Sequence, residues 1–193
     1  KAAAAEIEPR FDEENTFGLV VGQEGWHLGT IGIVAARLCK RFYRPSIVIG
    51  FGEDGKGRGS CRSIDHVDIL EVLRACDDLL ITYGGHKMAA GLEITSRNFE
   101  AFRDRFNTAC AGMLEGVSLI PVQQVDAWIA LGEADQLLID ALATLRPMGA
   151  GNPMPIWGVR NVRLASPPKR VGKDSRHLKM TVAKGGSQLD AIG

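Results

Sequence analysis

The chain has 193 residues, a formal net charge of zero at pH 7 and a charged fraction of 24%, which is ordinary for one large or two small globular domains. The neutral total excludes a global basic field, so a site for a polyanion would have to be a local patch. Apolar runs are too short to span a bilayer, and no signal peptide opens the chain. We therefore expect a cytoplasmic protein with no membrane partner.

Cysteines and histidines give no sign of a metal centre in this chain. The four cysteines lie far apart without CxxC spacing and are expected to be reduced. The four histidines are also scattered and form no HExxH or similar local motif. We predict no metal site within these 193 residues.

The first fifty residues predict a helix tail followed by a strand, a helix and a strand. Residues 1–15 have high helix propensity but no preceding cap, and we interpret them as the tail of a connecting helix. Residues 17–22 are a short apolar run typical of a buried strand. From Thr30 to Phe42 apolar residues recur with helical spacing, and a second buried strand is predicted at residues 46–50. This order predicts a sheet covered by helices.

A hydroxyl- and arginine-containing segment follows a glycine-rich hairpin or loop at residues 51–59. Within residues 59–64, a short strand or strand end, Ser60, Arg62 and Ser63 lie close together. Hydroxyls beside a guanidinium can bind a phosphate oxygen pair. A surface arginine next to turn serines is the alternative interpretation.

Two helices are predicted on either side of the next motif. Asp68 and Ser96 are candidate N-caps, each followed by an apolar helical stripe. The second stripe contains several phenylalanines, and we assign it to the core, over a helix of about four to five turns.

Between these helices lies Tyr83-Gly84-Gly85-His86-Lys87-Met88-Ala89-Ala90-Gly91. Paired glycines permit positive φ and let backbone N–H groups approach a ligand closely. His86 and Lys87 follow at once, so an anion would meet N–H dipoles, an imidazole and a positive charge together. A phosphate fits this description. The alternative is a tight turn with a solvent-facing histidine and lysine.

The sequence changes character after residues 116–121. Short strand-like segments joined by Gly, Ser and basic turns indicate a small barrel. Strands are predicted at residues 122–131, 156–164, 178–182 and 188–192, with a helix at residues 133–145. The chain stops within a strand-like run, so we expect the barrel to be incomplete here.

Five motifs, in order, resemble one family. Residues 25–37 resemble the "GWHxGVIGIVASR" signature of RecJ-type single-strand-specific exonucleases, and residues 59–64 resemble their "GSxRSI" motif. Residues 84–91 resemble the "GGHxxAAG" motif of the DHHA1 domain. Residues 145–153 are similar to the "LxPFGxGNP" entry to an OB-fold, and residues 177–179 to its "HLK" strand. The departures, Thr30, Cys61 and Met148, remove no polar group on which the site depends.

The resemblance implies a fold and a division of labour. An α/β DHHA1 domain (residues 16–116, a sheet flanked by helices) would follow the helix tail and precede an OB-fold-like nucleic-acid-binding domain (residues 121–193). In this family an N-terminal DHH domain holds Mn²⁺ or Mg²⁺ ions, which activate water and bind the scissile phosphate. No Asp-His-His occurs here. The resemblance thus implies a DNA-gripping fragment that is inactive alone.

Site roles implied by the resemblance fall on two motifs and a basic segment. Ser60 and Arg62, with neighbouring Ser63, would bind the 5′-terminal phosphate of a strand. His86, presented by Gly84 and Gly85 beside Lys87, would contact the phosphate near the metals and stabilise charge in the transition state. His27 would line the same cleft or support its loop, and Trp26 is assigned to packing rather than to base stacking. Basic residues that would track the DNA backbone are Lys169, Arg170, Lys173, Arg176 and Lys179.

The implied function is that of the DNA-binding portion of a 5′→3′ single-stranded-DNA exonuclease in DNA repair and recombination. Implied partners are single-stranded DNA, the DHH domain, and a single-strand-binding protein or helicase. Two alternatives remain: a DHH/DHHA1 phosphoesterase for short oligonucleotides or cyclic dinucleotides, and a non-catalytic nucleic-acid-binding module. A dinucleotide-binding enzyme is poorly supported, because residues 52–59 lack the GxGxxG strand-to-helix context.

Overall fold

The computed structural model describes residues 2–193, apart from the side chain of Asp174. The chain divides into two compact units, one ending at Pro121 and one starting at Val122.

The first unit is an α/β layer structure. Its helices are α1 (Ala2–Ile7), α2 (Leu28–Phe42), α3 (Ile69–Arg74) and α4 (Phe99–Met113). Its strands are β1 (Leu19–Glu24), β2 (Ser46–Phe51), β3 (Lys56–Arg62), β4 (Leu80–His86) and β5 (Ala89–Thr95). Single 3-10 turns occur at Glu8–Arg10, Asp77–Leu79 and Ser96–Asn98.

The five strands form one sheet in the order β1-β2-β3-β5-β4. β1 and β2 run parallel and are joined by α2, which confirms the predicted strand–helix–strand unit. The other neighbours are antiparallel. Because β5 lies between β3 and β4, the Ala-Ala-Gly end of the "GGHxxAAG"-like motif, on β5, pairs directly with the "GSxRSI"-like motif on β3. The Gly-Gly-His end of that motif, on β4, lies one strand further away.

Two apolar clusters cover the two faces of this sheet. On one face, strand residues such as Ile47 and Cys61 pack with Phe102 and Phe106 of α4, and all four are fully buried. On the other face, Val21 and its neighbours pack against α1 and α2. The predicted assignment of the phenylalanine stripe to the core is therefore confirmed for Phe102 and Phe106. Burial of each of these side chains stabilises the fold by about 1.5–3 kcal/mol.

Helix caps agree with the predictions at one position and differ at another. Asp68 accepts a hydrogen bond from the Leu70 N–H at 3.0 Å, which confirms it as the N-cap of α3. Ser96 is not the cap of α4, because it begins a 3-10 turn and α4 starts only at Phe99. The prediction is wrong because a 3-10 turn at Ser96–Asn98 precedes the helix. The Asn98 side chain, directly before α4, donates a hydrogen bond to the Leu79 carbonyl at 2.9 Å.

The second unit is rich in short strands. Its elements are β6 (Ala127–Trp128), α5 (Gln136–Ala143), β7 (Trp157–Gly158), β8 (Arg163–Leu164), β9 (Lys169–Val171), β10 (His177–Lys184) and β11 (Ser187–Ile192). Single 3-10 turns occur at Leu131–Glu133 and Lys173–Ser175. β10 pairs with β8, β9 and β11, all antiparallel, and β6 pairs with β7 in parallel.

Strand predictions were less accurate in this unit. The long strand predicted at residues 122–131 is reduced to two residues, because its alternating apolar side chains find little to pack against; Val122 is 85% exposed. β9 was missed because Lys169-Arg170-Val171 carries no apolar alternation. An α/β sheet flanked by helices followed by a β-rich unit is nevertheless the predicted fold class, and it is confirmed. No described helix is long and apolar enough to cross a bilayer.

Candidate nucleic-acid interface

The strand register places the predicted phosphate ligands on one face of the sheet. Arg62 on β3 is opposite Ala89 on β5, and Ala89 is opposite His86 on β4. Directly opposed residues on antiparallel strands project to the same face. With strands about 4.8 Å apart, the Cα atoms of Arg62 and His86 are separated by about 10 Å. Ser60 lies two residues before Arg62 and therefore shares this face.

This part of the sheet is open to solvent. Residues of β4 and β5 on the Arg62 side are exposed at Thr82, Gly84, His86 and Gly91. A shallow groove of about 600 Å³ runs over the glycine positions of these strands. We call this surface, on β3, β5 and β4, the open face. A floor of glycine backbone lets a ligand approach the sheet closely.

Backbone hydrogen bonds join the two motifs. The Ser63 N–H donates to the Met88 carbonyl at 3.0 Å, and the Ile69 N–H donates to the Lys87 carbonyl at 3.0 Å. The tip of the β4–β5 hairpin is therefore attached to the segment that follows β3. This contact fixes the position of His86 relative to Arg62 through main-chain atoms alone.

Arg62 is the strongest candidate for binding an anion. Its Nη1 donates to the Ser60 hydroxyl at 3.1 Å and to the Cys61 carbonyl at 2.7 Å. Within residues 2–193, no described carboxylate forms an ion pair with this half-buried guanidinium. Arg58, on the same strand and face, instead pairs with Glu93 at 2.9 Å. A held but uncompensated guanidinium is suited to a phosphate or carboxylate.

Gly32 is a supporting residue that the sequence did not single out. A Cβ at this position of α2 would lie 3.1 Å from the Ser60 hydroxyl and 3.2 Å from Arg62 Nη2. The glycine therefore leaves room for the guanidinium under the helix. An isolated glycine within a helical pattern was the available signal, because it costs helix stability and needs a packing reason.

Two buried thiols beside Arg62 leave its charge intact. Burial raises the pKa of the Cys39 thiol to about 11 and that of the Cys61 thiol to about 12, with the Arg62 charge opposing both shifts. Both thiols therefore stay protonated at neutral pH. All four cysteines are free and buried.

Ser63 and His27 have local structural roles. Ser63 was predicted to bind the phosphate, but it is only 8% exposed and its hydroxyl donates to the Val67 carbonyl at 2.7 Å, so its side chain is turned to the protein rather than to a ligand. His27 precedes α2, and its Nδ1 accepts a hydrogen bond from the Gly29 N–H at 3.1 Å. Its ring lines a small cavity of about 130 Å³ with Trp26 and α1 residues, and neither Ser60 nor Arg62 lines that cavity.

The glycine pair positions His86 and Lys87 at the end of β4. Gly85 has φ +148°, and a Cβ there would lie 2.5 Å from the Ala89 carbonyl oxygen and 2.5 Å from Ala90 Cα. Gly84, by contrast, has open space around it. His86 and Lys87 are exposed, so both side chains are accessible to a ligand.

The basic residues of the second unit lie around one strand pair. Lys169 on β9 is opposite Lys179 on β10, so both project to one face. The Lys179 ammonium lies 3.3 Å from an Asp190 carboxylate oxygen. Hydrogen bonds from Thr181 and Lys179 lower the pKa of Asp190. Arg170 reaches the Ser175 carbonyl at 3.5 Å, while Lys173 and Lys169 are exposed.

Among residues whose positions are described, no three His, Cys, Asp or Glu side chains lie close enough together to hold a metal ion. The donor set therefore does not fit a divalent metal centre, and we assign no metal-dependent step to these residues.

Comparisons with known proteins identify both units. Residues 15–112 match the DHHA1 domain model and residues 125–193 match the RecJ OB domain model. The single-stranded-DNA-specific exonuclease RecJ of Bacillus subtilis is 38% identical over 176 residues, which cover 91% of this chain and 22% of that protein. RecJ of Salmonella typhimurium is 35% identical over 181 residues, covering 91% of this chain and 31% of that protein.

Solved structures agree with the sequence relatives. The crystal structure of Thermus thermophilus RecJ with Mn²⁺ aligns with a TM-score of 0.72 and 27% identity, covering 98% of this chain and 28% of that one. The Mg²⁺ complex aligns with a TM-score of 0.67 and 31% identity, again over 98% and 28%. The chain thus spans between 22% and 31% of the length of these relatives. It belongs to the RecJ family and carries a DHHA1 domain followed by a RecJ OB domain.

Proposed function

We propose that this chain is the DNA-gripping part of a RecJ-type 5′→3′ single-stranded-DNA exonuclease. The observation that carries the proposal is the uncompensated Arg62 guanidinium, held beside Ser60 and sharing a face and a register row with His86. A strand's 5′-terminal phosphate would bind Ser60 and Arg62, and His86 would meet the next phosphodiester. Lys169 and Lys179 of the OB domain would track the backbone.

Each side chain has a defined chemical part in this arrangement. The Ser60 oxygen accepts from Arg62, which leaves its hydroxyl hydrogen free to donate to a phosphate oxygen. Arg62 supplies the positive charge and further N–H donors. His86 lies two strand spacings from Arg62. Its exposed imidazole can donate a hydrogen bond to an oxygen of the next phosphoryl group, where negative charge develops. These residues bind and orient the strand rather than generate the nucleophile.

Hydrolysis in the longer enzyme is assigned to a DHH domain outside this chain. Relatives crystallised with Mn²⁺ or Mg²⁺ support the use of a divalent metal, since divalent ions in nucleases activate water and stabilise the leaving oxygen. On this proposal the 193-residue chain binds DNA but has no turnover of its own. The family resemblance also supports a cytoplasmic role in repair and recombination, with a single-strand-binding protein or helicase as further partners.

The match to a RecJ OB domain at residues 125–193 favours a long single strand over the short oligonucleotides or cyclic dinucleotides of other DHH/DHHA1 phosphoesterases. The alternative is a module that binds nucleic acid but catalyses no reaction. Incubating the longer protein with Mn²⁺ and a 5′-labelled strand distinguishes an exonuclease from a non-catalytic module, because only the exonuclease releases labelled mononucleotide.

The proposal is tested by the dependence of binding on the 5′ end. We expect the chain to bind a 5′-phosphorylated thymidine oligonucleotide more tightly than its 5′-hydroxyl counterpart, as measured by fluorescence anisotropy. Arg62→Ala should weaken binding of the phosphorylated strand about 10- to 100-fold, the size expected for hydrogen bonds to a charged group. It should change binding of the hydroxyl strand much less.

Arg58→Ala is the matched control. Arg58 lies on the same strand and face but is already paired with Glu93, so its removal should leave the preference for a 5′-phosphate intact. Equal effects of the two substitutions would mean that Arg62 is not the specific ligand of the terminal phosphate. No preference in the unmodified chain would mean that the open face does not bind that phosphate.

A further inference from the structure

A cavity of about 460 Å³ adjoins Arg62 beyond the end of β3. It lies beside the C-terminal half of α2, and its lining is mainly apolar. The lining includes Ala36, Cys39, Lys40, Tyr43, Arg62 and Met88. This volume lies within the range of about 300–1,000 Å³ that is typical of small-molecule sites.

The cavity shares its cation with the proposed phosphate site. Arg62 Nη1 already donates hydrogen bonds to the Ser60 hydroxyl and the Cys61 carbonyl, so Nε and Nη2 are the donors left for a ligand. Lys40, on the last turn of α2, adds a second positive charge at the cavity, against one carboxylate from Asp65. No ion pair of Lys40 is found within the described part of the chain. The charge balance therefore favours a ligand with an anionic group.

The walls favour a flat, polarizable group attached to that anion. Tyr43 offers an aromatic ring and Met88 a thioether, and Met88 is 40% exposed. Aromatic rings and thioethers both make favourable contacts with a π-system. The buried Cys39 thiol keeps its proton, so it adds no negative charge to the wall. A nucleobase carried by a phosphate has this combination of a flat ring and an anion.

We infer that this cavity binds the base of the 5′-terminal nucleotide, with Lys40 as a second ligand for its phosphate. The inference rests on the proposed function, because the phosphate at Arg62 is what brings the base to the cavity. It assigns to the chain a subsite for a whole terminal nucleotide rather than for a phosphate alone. The apolar lining predicts contact with the ring faces, and so tolerance of any of the four bases.

The test uses three 3′-labelled thymidine strands with the full chain. One has a 5′-phosphate, one has a 5′-phosphate on an abasic first nucleotide, and one has a 5′-hydroxyl. We expect loss of the first base to weaken binding about five- to tenfold, at the lower end of what stacking of one base contributes. Ala36→Phe should fill the cavity and bring the intact phosphorylated strand to the affinity of the abasic one.

Ala101→Phe is the matched control, because Ala101 is also an exposed alanine of a 15-residue helix, but on α4, which covers the other face of the sheet. It should leave all three affinities unchanged. If the abasic strand binds as tightly as the intact one while the hydroxyl strand binds more weakly, the cavity inference is overturned and the phosphate site stands. If the 5′-phosphate makes no difference, the proposed function is overturned and this inference with it.

Discussion

At single residues, the identity of a candidate ligand could be predicted from the sequence, but its conformation and its partners could not. Gly84 and Gly85 read alike as a flexible pair, yet only Gly85 has an unusual conformation, with φ +148° and no room for a Cβ. Arg62 could be identified as a phosphate ligand from its neighbours. That no described carboxylate forms an ion pair with it could not be predicted, because this depends on which side chains the fold brings within reach.

Gly85→Ala should destabilise the first unit by about 1–3 kcal/mol, since the new Cβ meets main-chain atoms of β5 and the backbone is strained at positive φ. We expect the melting temperature, followed by circular dichroism, to fall by several degrees. Gly84→Ala is the control, because no heavy atom lies within 4 Å of its added Cβ. Equal melting temperatures of the two variants would contradict the strained conformation assigned to Gly85.

At the scale of elements, the order of the strands creates the site. Periodicity and capping signals located most strands and helices of the first unit, and Asp68 was correctly identified as a cap. Neither signal could predict that β5 lies between β3 and β4, or that Arg62, Ala89 and His86 form one row. Strand order and register come from long-range packing and from the hairpin contacts of Lys87 and Met88.

Strand pairing in the OB domain gives a second prediction. Lys179 is partly neutralised by Asp190 on the neighbouring strand, whereas Lys169, opposite Lys179, is not paired with a described carboxylate. Asp190→Asn should therefore raise the affinity for single-stranded DNA, because it releases Lys179. Lys169→Ala should make the negative slope of log K against log salt less steep by about 0.7, the value for one phosphate contact on a single strand.

Both quantities come from a salt titration of binding. Asp140→Asn is the control for Asp190→Asn, because it also removes one negative charge. Asp140 lies on α5, where it accepts a hydrogen bond from Gln136 rather than from a lysine. If the two charge removals raise affinity equally, the effect is one of net charge and the pairing with Lys179 has no role. An unchanged salt slope in Lys169→Ala would remove that residue from the interface.

Over the whole molecule, the sequence indicated two domains with different packing. The first unit has strong apolar periodicity and four buried cysteines, and its elements were largely predicted. The second has short strands whose apolar residues are often exposed, including Leu137 at 76%. Pattern reading failed there for a physical reason, since alternation predicts a strand only where one face is buried.

The buried thiols predict alkaline destabilisation of the fold. Burial raises the pKa of Cys61 to about 12, whereas an exposed thiol in the unfolded chain titrates near 8.5. Between these values the unfolded state has released a proton that the folded state retains, so the unfolded state binds fewer protons and stability falls as pH rises. The loss is up to about 1.4 kcal/mol per pH unit for one such thiol.

Urea unfolding at pH 8, 9, 10 and 11 measures this dependence. Cys61→Ala should lower stability at every pH through lost packing but should show a shallower decline above pH 9, because one linked proton is gone. Cys61 packs on the face covered by α3 and α4, so the comparison concerns stability rather than the binding site. Identical slopes in both proteins would show that the thiol is not held protonated by the fold.

A crystal structure of this chain with a 5′-phosphorylated trithymidylate tests most directly whether Ser60 and Arg62 bind the 5′-terminal phosphate. We predict that the terminal phosphate lies on the open face, within about 3 Å of the Arg62 guanidinium and the Ser60 hydroxyl, with the next phosphodiester on the His86 side. A terminal phosphate bound elsewhere, with Arg62 still donating only to Ser60 and Cys61, would contradict this prediction.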